Sequence, residues 1–162
     1  CITGGEPPIQ EGLVPFLGEL RSLELKDKLD TNGARPDVLE EVLGRGLADY
    51  VAMDIKAPRE KYSLASGWDG DLSRVEKSSP LLRRAKIPFE VRTTLVPGIH
   101  GLEDAPGIGD LVRGAPLYVL QRFRPGLTLD PAFAETPPLP VWFAEAFRER
   151  VLLFADEVRI RG

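Results

Sequence analysis

Strand-like and helical segments alternate along the whole chain, and this alternation constrains the fold more than any other feature. Between the strand-like runs, apolar residues recur every three or four positions, which predicts amphipathic helices. Such alternation predicts an α/β fold whose parallel strands are joined by right-handed crossovers. We see no boundary for a second domain and expect one domain over residues 1–162. The strand-like runs are residues 1–3, 25–33, 49–56, 88–98, 116–126 and 157–162.

Composition narrows the possible classes of function. The formal net charge is −4 and no basic stripe is present, which disfavours nucleic-acid binding. No run of about 18 apolar residues occurs, so the sequence predicts no membrane span. The single cysteine excludes an internal disulfide and indicates a reducing compartment, for which we predict the cytoplasm. One cysteine and one histidine are also too few for a metal cage of Cys and His side chains.

Polar residues and glycines follow the predicted strands. Active sites of parallel α/β folds lie at the carboxyl ends of the strands, so we expect these segments to converge on one edge of the sheet. They are residues 4–7, 30–33, 54–56, 92–98 and 121–125.

Gly4, Gly5 and Glu6 follow the first of these strands. Glycines lack Cβ, so a ligand can approach the backbone closely, and a carboxylate beside exposed carbonyl groups suits a ligand ammonium. From these residues alone, a plain strand-to-helix turn with a solvated Glu6 is the better interpretation.

Asp30 and Asp54 end successive strands, and Thr31 adds a hydroxyl beside the first of them. An all-oxygen cluster of this kind suits a hard cation. Residues 30–33 are, however, also typical of an ordinary turn. Lys56 follows Asp54 by two positions and therefore lies on the same side of an extended chain. This pair is either part of a site or a simple ion pair.

Arg92 lies inside an apolar strand. Because an unpaired buried charge is costly, its guanidinium must face either a carboxylate of the chain or an anionic ligand. His100 lies in a loop next to a glycine, and we expect a structural role for it rather than a chemical one.

Five segments occur in an order that carries a family resemblance: ITGGEPPIQ, KLDTNG, YVAMDIKAP, VRTTLVPG and LQRFRP. Together they resemble radical S-adenosylmethionine (SAM) enzymes, specifically the activating proteins of glycyl-radical enzymes, and among these the ones that activate anaerobic ribonucleoside-triphosphate reductase. The resemblance implies a partial (β/α)6 barrel. It also implies that SAM is cleaved to a 5′-deoxyadenosyl radical, which takes a hydrogen atom from a backbone glycine of the partner.

The resemblance also implies roles for individual residues. A first group would bind SAM, and its first three members would hold the methionine ammonium. This group consists of Gly4, Gly5, Glu6, Lys56 and Arg92. A second group would bind a monovalent cation beside SAM, and it consists of Asp30, Thr31 and Asp54.

The chain departs from the family in one respect. The family holds a [4Fe–4S] cluster on a C-x3-C-x2-C motif after its first strand, and an electron donor such as flavodoxin or ferredoxin reduces the cluster. That motif is absent, and Cys1 is not one of the three ligands. We therefore expect a chain that lacks the first barrel strand, with its cluster ligands elsewhere, and that is not catalytically competent alone.

Two alternatives stay open. The chain could belong to a radical SAM enzyme that acts on another glycyl-radical enzyme or on a small molecule, with residues 62–71 as a substrate lid. It could also be a non-catalytic remnant that only binds a partner.

Overall fold

A computed structural model of the chain describes residues 1–126, 128 and 130–162. Within these ranges, strands and helices alternate as the sequence predicts. The strands are β1 (Lys28–Thr31), β2 (Tyr50–Asp54), β3 (Phe89–Leu95), β4 (Tyr118–Arg122) and β5 (Val158–Arg161). The helices are α1 (Leu13–Ser22), α2 (Pro36–Gly44), α3 (Tyr62–Ser66), α4 (Ser73–Arg84), α5 (Ala105–Val112) and α6 (Val141–Val151).

The five strands form one parallel sheet in the order β1-β2-β3-β4-β5. Ile2 adds a parallel bridge to Leu29, so strand-like backbone precedes the Gly4–Gly5 pair, as predicted. Sequential strand order with right-handed crossovers places the helices on one face of a sheet, as in barrels and unlike doubly wound folds. The fold is therefore α/β and compatible with a partial radical SAM fold, and its strands all end at the same edge.

One face of the sheet builds the hydrophobic core with the helices. Alternate strand residues point to this face because successive side chains of a strand point to opposite sides. Leu29, Met53, Val91, Tyr118 and Leu120 belong to it and are at most 1% exposed. They form one hydrophobic cluster with buried residues of six helices, including Leu17, Leu39, Tyr62, Leu82, Ile108 and Phe147.

The other face of the sheet carries polar residues, and we call it the polar face. Strand register places its members side by side, for example Asp54 opposite Arg92. Its polar members are Lys28, Asp30, Tyr50, Asp54, Glu90, Arg92, Thr94, Gln121, Arg159 and Arg161, and Ala52 and Val119 lie among them. Its ion pairs build the candidate site described below.

Helix α1 differs in part from the prediction. Helical spacing predicts that Phe16 and Leu23 share the buried face of α1, but they are 47% and 64% exposed, and this prediction is wrong. Pro80 lies inside α4 without ending it. No helix in the described ranges combines the length and apolar character that a membrane crossing requires.

Candidate functional site

Glu6 ties the Gly4–Gly5 segment to the end of β1. Its carboxylate accepts hydrogen bonds from the Thr31 hydroxyl at 2.5 Å and from the Asn32 backbone amide at 2.6 Å. Burial raises the pKa of Glu6 above its ordinary value, although both hydrogen bonds oppose the rise. The interpretation of Glu6 as a solvated turn residue is wrong, because the residue is only 8% exposed.

Gly4 and Gly5 leave their backbone accessible at this edge. Their φ angles of +95° and +49° lie in the region that favours glycine. A Cβ at either position would have no atom within 4 Å, and both residues are exposed. Their backbone therefore lies at the surface of this edge, and ligand binding there stays a prediction.

Arg92 lies between the two carboxylates that end β1 and β2. Its Nε donates to Asp54 Oδ1 at 2.8 Å, and its Nη1 donates to Asp30 Oδ2 at 3.3 Å. Burial alone would lower the pKa of Arg92, but Asp54 and Asp30 raise it above its ordinary value. Of the two alternatives for Arg92, the structure contains the internal salt bridge.

The three residues predicted to bind a monovalent cation have other partners in this structure. Burial would raise the pKa of Asp30, but Arg92 and Lys28 outweigh burial and lower it. The hydroxyl of Thr31 donates to Glu6 and accepts a hydrogen bond from the Gly33 amide at 3.0 Å. The cation that Asp30 and Asp54 share here is the Arg92 guanidinium, and a monovalent-cation site stays a prediction.

Lys56 and His100 complete the edge next to β2. The Lys56 ammonium donates to Asp54 Oδ2 at 2.8 Å, so the two side chains do share a side of the chain. His100 Nδ1 accepts from the Val96 amide at 2.9 Å, and its Nε2 donates to the Lys56 carbonyl at 2.8 Å. Burial lowers the pKa of His100, so the ring is neutral and fixes the Lys56 backbone in place.

The sequence prediction missed Glu90, which is 3% exposed at the centre of the polar face. Three cations surround its carboxylate: Arg161 at 3.2 Å, Lys28 at 3.7 Å and Arg92 at 4.0 Å. Glu90 and Arg92 therefore hold each other in place below the strand ends. One sequence signal could have identified Glu90. Polar residues recur at every second position of β3, which indicates that one side of the strand is polar.

Residues 62–71, a lid in one alternative, lie beside this edge. Tyr62 is buried, with its hydroxyl next to the Lys56 backbone and within electrostatic reach of Asp54 and Glu6. Its position could not be predicted because its spacing from the strand ends carries no motif.

The chain's own residues do not fit an iron–sulfur cluster. Over the described ranges, no group of three or more His, Cys, Asp and Glu side chains is placed to hold a metal ion. Cys1 is an exposed free thiol, and one cysteine cannot supply three thiolate ligands. The strand-end residues do fit an amino-acid group, because carbonyl acceptors suit its ammonium and the cationic donors of Lys56 and Arg92 suit its carboxylate.

Comparison with known proteins gives independent information about the class of protein. No protein-family model matches the chain. A protein of Methanocaldococcus jannaschii, named as a glycyl-radical enzyme activating enzyme, is 33% identical over 141 residues, which cover 84% of this chain and 59% of that protein. The chain is related to a glycyl-radical enzyme activating enzyme. A protein of Pyrococcus abyssi, named as a GTP 3′,8-cyclase, is 30% identical over 115 residues, which cover 70% of this chain and 36% of that protein.

The relationship supports the resemblance at the level of the activating enzymes. The chain spans less than two thirds of the length of the curated relatives that it matches. The activity of the whole protein, its partner and the residues that would bind SAM are therefore matters for proposal.

Proposed function

We propose that this chain is the SAM-binding part of a radical SAM enzyme that activates a glycyl-radical enzyme, namely anaerobic ribonucleoside-triphosphate reductase. One observation carries the proposal. The segments Gly4–Glu6, Asp30–Thr31 and Asp54–Lys56 meet at one sheet edge, where Glu6 and Arg92 connect them. The relative named as an activating enzyme supports the same function.

In this proposal, the strand-end residues bind the amino-acid end of SAM. Carbonyl groups of Gly4 and Gly5 accept hydrogen bonds from the ammonium, and Glu6 contributes negative charge beside it. Lys56 and Arg92, which both contact Asp54, attract the carboxylate. Charge-assisted contacts of this kind are about twice as strong as neutral ones. Bound SAM supplies the radical chemistry, and the chain's own residues orient the cofactor.

The remaining parts of the proposal concern the whole enzyme. Residues 1–162 form one domain, whose sheet belongs to a (β/α)6 barrel. The [4Fe–4S] cluster is held by cysteines that this chain does not contain, so the chain alone is not competent. A monovalent cation binds beside SAM at Asp30, Thr31 and Asp54. Flavodoxin or ferredoxin donates the electron that reduces the cluster. The enzyme works in the cytoplasm.

The binding half of the proposal is tested by titrating the chain with SAM in a calorimeter. Lys56→Met should weaken binding about ten-fold or more, because a contact with a charged group contributes about 1.5–3 kcal/mol. Lys26→Met is the matched control, since Lys26 is exposed and pairs with Asp49 instead. No SAM binding by the folded chain, or equal losses in both variants, would contradict the proposed site.

The choice of partner needs a second experiment. The product of the whole reading frame is incubated without oxygen with SAM, a reductant and either anaerobic ribonucleoside-triphosphate reductase or another glycyl-radical enzyme. A glycyl-radical signal by electron paramagnetic resonance should arise on the reductase. A signal on the other protein only would show that the partner is wrong while the activating chemistry is right.

The relative named as a GTP 3′,8-cyclase favours a second candidate, a radical SAM enzyme that acts on a small molecule. In that case GTP should bind to the chain with SAM-dependent affinity. Titration of the SAM-saturated chain with GTP distinguishes the two, because an activating enzyme should give no heat of GTP binding.

A further inference from the structure

Tyr62 differs from the two other tyrosines of the chain. The hydroxyl of Tyr118 donates to Thr93 at 2.9 Å, and that of Tyr50 donates to Glu90 at 3.3 Å. The Tyr62 hydroxyl is buried next to the Lys56 backbone amide, but among the residues that the structure describes it makes no hydrogen bond of good geometry. A buried polar group without a partner lowers stability, and natural proteins contain few of them. Such a group calls for a partner that binds from outside the chain.

A pocket of about 80 Å³ lies beside Tyr62, and Asn32, Lys56, Ser66 and Trp68 also line it. Two of these polar side chains already accept a hydrogen bond within the chain. The carboxamide oxygen of Asn32 accepts from the Ala34 amide, and the Ser66 hydroxyl accepts from the Trp68 amide. The pocket can therefore offer a ligand three donors: the Asn32 amide nitrogen, the Tyr62 hydroxyl and the Lys56 ammonium, which pairs with Asp54 in the free chain.

The phenol of Tyr62 is a donor at neutral pH. Burial raises its pKa to about 12, and the nearby carboxylates Asp54 and Glu6 act in the same direction. Donors without acceptors select an anion, and a pocket of this size admits a carboxylate but not a nucleoside. In an α-amino acid, the carboxylate is one carbon away from the carbon that bears the ammonium. Glu6 lies within electrostatic reach of both Lys56 and Tyr62, which is the basis for placing the carboxylate of a ligand near these two residues when its ammonium is at Gly4–Glu6.

We propose that the Tyr62 hydroxyl donates a hydrogen bond to the carboxylate at the amino-acid end of SAM. This inference rests on the proposed function and adds a ligand-binding residue outside the five motif segments. It explains why the free chain keeps an unpaired hydroxyl in a buried position, because the partner arrives with the cofactor.

Ligand binding at Tyr62 requires the wall of the pocket to shift, because the hydroxyl is covered in the free chain. Trp68 forms part of that wall and follows Gly67, whose φ is +63°. The indole packs against Gly70 so closely that a Cβ there would lie 1.9 Å from the ring. Bound ligand should therefore change the environment of the Trp68 indole.

The test compares two adenosine ligands on three forms of the chain. S-adenosylhomocysteine carries the amino-acid end, and 5′-methylthioadenosine lacks it. Tyr62→Phe should weaken binding of S-adenosylhomocysteine about ten-fold, as loss of a hydrogen bond to a charged group predicts, and leave 5′-methylthioadenosine unchanged. Tyr118→Phe is the matched control, because it removes a buried hydroxyl that is bonded within the core.

In thermal unfolding without ligand, the two variants should rank in the opposite order to their losses of ligand binding. Tyr62→Phe should not lower the melting temperature, because no hydrogen bond is lost, whereas Tyr118→Phe should lower it. Trp142→Phe removes the other, 61% exposed tryptophan and leaves Trp68 as the fluorescent reporter. Its emission should respond to S-adenosylhomocysteine but not to 5′-methylthioadenosine.

The outcomes separate this inference from the proposed function. If the unaltered chain binds S-adenosylhomocysteine and Tyr62→Phe binds it equally well, or loses both ligands equally, the role of Tyr62 is wrong and the proposed function stands. If the unaltered chain binds neither ligand, the proposed function is wrong and this inference is wrong with it.

Discussion

The two faces of the sheet are built from the same strands but are stabilised in different ways. On the helix-covered face, Leu29, Met53 and Leu120 are fully buried among apolar side chains. On the polar face, Asp30, Asp54 and Glu90 are held by ion pairs with Arg92. Apolar packing depends on buried area and shape, whereas the polar face depends on the balance of charge.

This difference indicates which face of the sheet can bind a ligand. The aliphatic side chains of the apolar face have no donor or acceptor, so exchanging them should alter stability rather than ligand binding. Ion pairs at the strand ends can exchange one partner for a ligand of the same charge. Lys56 can, for example, turn from Asp54 to a ligand carboxylate without loss of a charge-assisted contact.

Removal of a large side chain from the helix-covered face should have the largest effect. Phe147→Ala should lower the free energy of unfolding by about 3–5 kcal/mol, because it leaves a cavity in the core. Phe147 is completely buried in α6, whereas Leu153, just after this helix, is 93% exposed and provides the control. Leu153→Ala should change the free energy by less than about 0.5 kcal/mol in urea unfolding. Equal losses would contradict the assignment of the core.

Removal of Arg92 should have the next largest effect, with a different dependence on pH. Arg92→Ala leaves Asp30 and Asp54 without their shared cation and should cost about 3 kcal/mol at pH 7. The pKa of Asp30 is lowered from 3.8 in the folded chain, so its ion pair stabilises above pH 3.8 and is lost as the pH falls through the lowered pKa. The deficit of the variant should therefore shrink in acid.

Urea unfolding at pH 7 and near pH 3 checks this prediction. The control is Arg45→Ala, which removes an exposed i,i+4 pair with Glu41 and should cost less than about 0.5 kcal/mol at either pH. A deficit of Arg92→Ala that is the same at both pH values would show that packing, and not charge, sets its contribution.

His100→Ala should cost about 2 kcal/mol at neutral pH, since it leaves the Val96 amide and the Lys56 carbonyl without partners. Burial lowers the pKa of His100 from 6.5, so its contribution is complete above pH 6.5 and declines as the pH falls towards the lowered pKa. Melting temperatures at several pH values should show a smaller difference between wild type and variant in mild acid. A difference that grows in acid would mean that His100 is protonated in the folded chain.

Glu6→Gln should give the smallest change in stability. The pKa of Glu6 is raised from 4.5, so stability falls as the pH rises from 4.5 through the raised pKa. The carboxamide of the variant keeps an acceptor for the Asn32 amide, but it does not titrate, so this dependence of stability on pH should disappear. Melting curves across that range should be flatter for Glu6→Gln than for Glu41→Gln, an exposed control. Parallel curves for the two variants would contradict the buried state of Glu6.

The sequence predicted the order of elements and the common edge of the strands, because hydrophobic periodicity and crossover handedness are local rules. It could not predict how distant residues pair. The bond from Thr31 to Glu6 joins positions 25 residues apart, and the bond from Arg92 to Asp30 joins positions 62 apart. Phe16 illustrates the limit of periodicity, which identifies a helix but not the full width of its buried stripe.

Nuclear magnetic resonance offers the most direct measurement of the central claim, that the strand-end edge of the polar face binds the cofactor. Amide shifts of the chain are followed while S-adenosylhomocysteine is added. The largest changes should fall on Gly4 and Gly5, on Asn32 and Gly33, on Ile55 and Lys56, and on Tyr62. Amides of α2 and α6, on the helix-covered face, should stay in place. Changes centred on those helices, or spread evenly over both faces, would contradict the account.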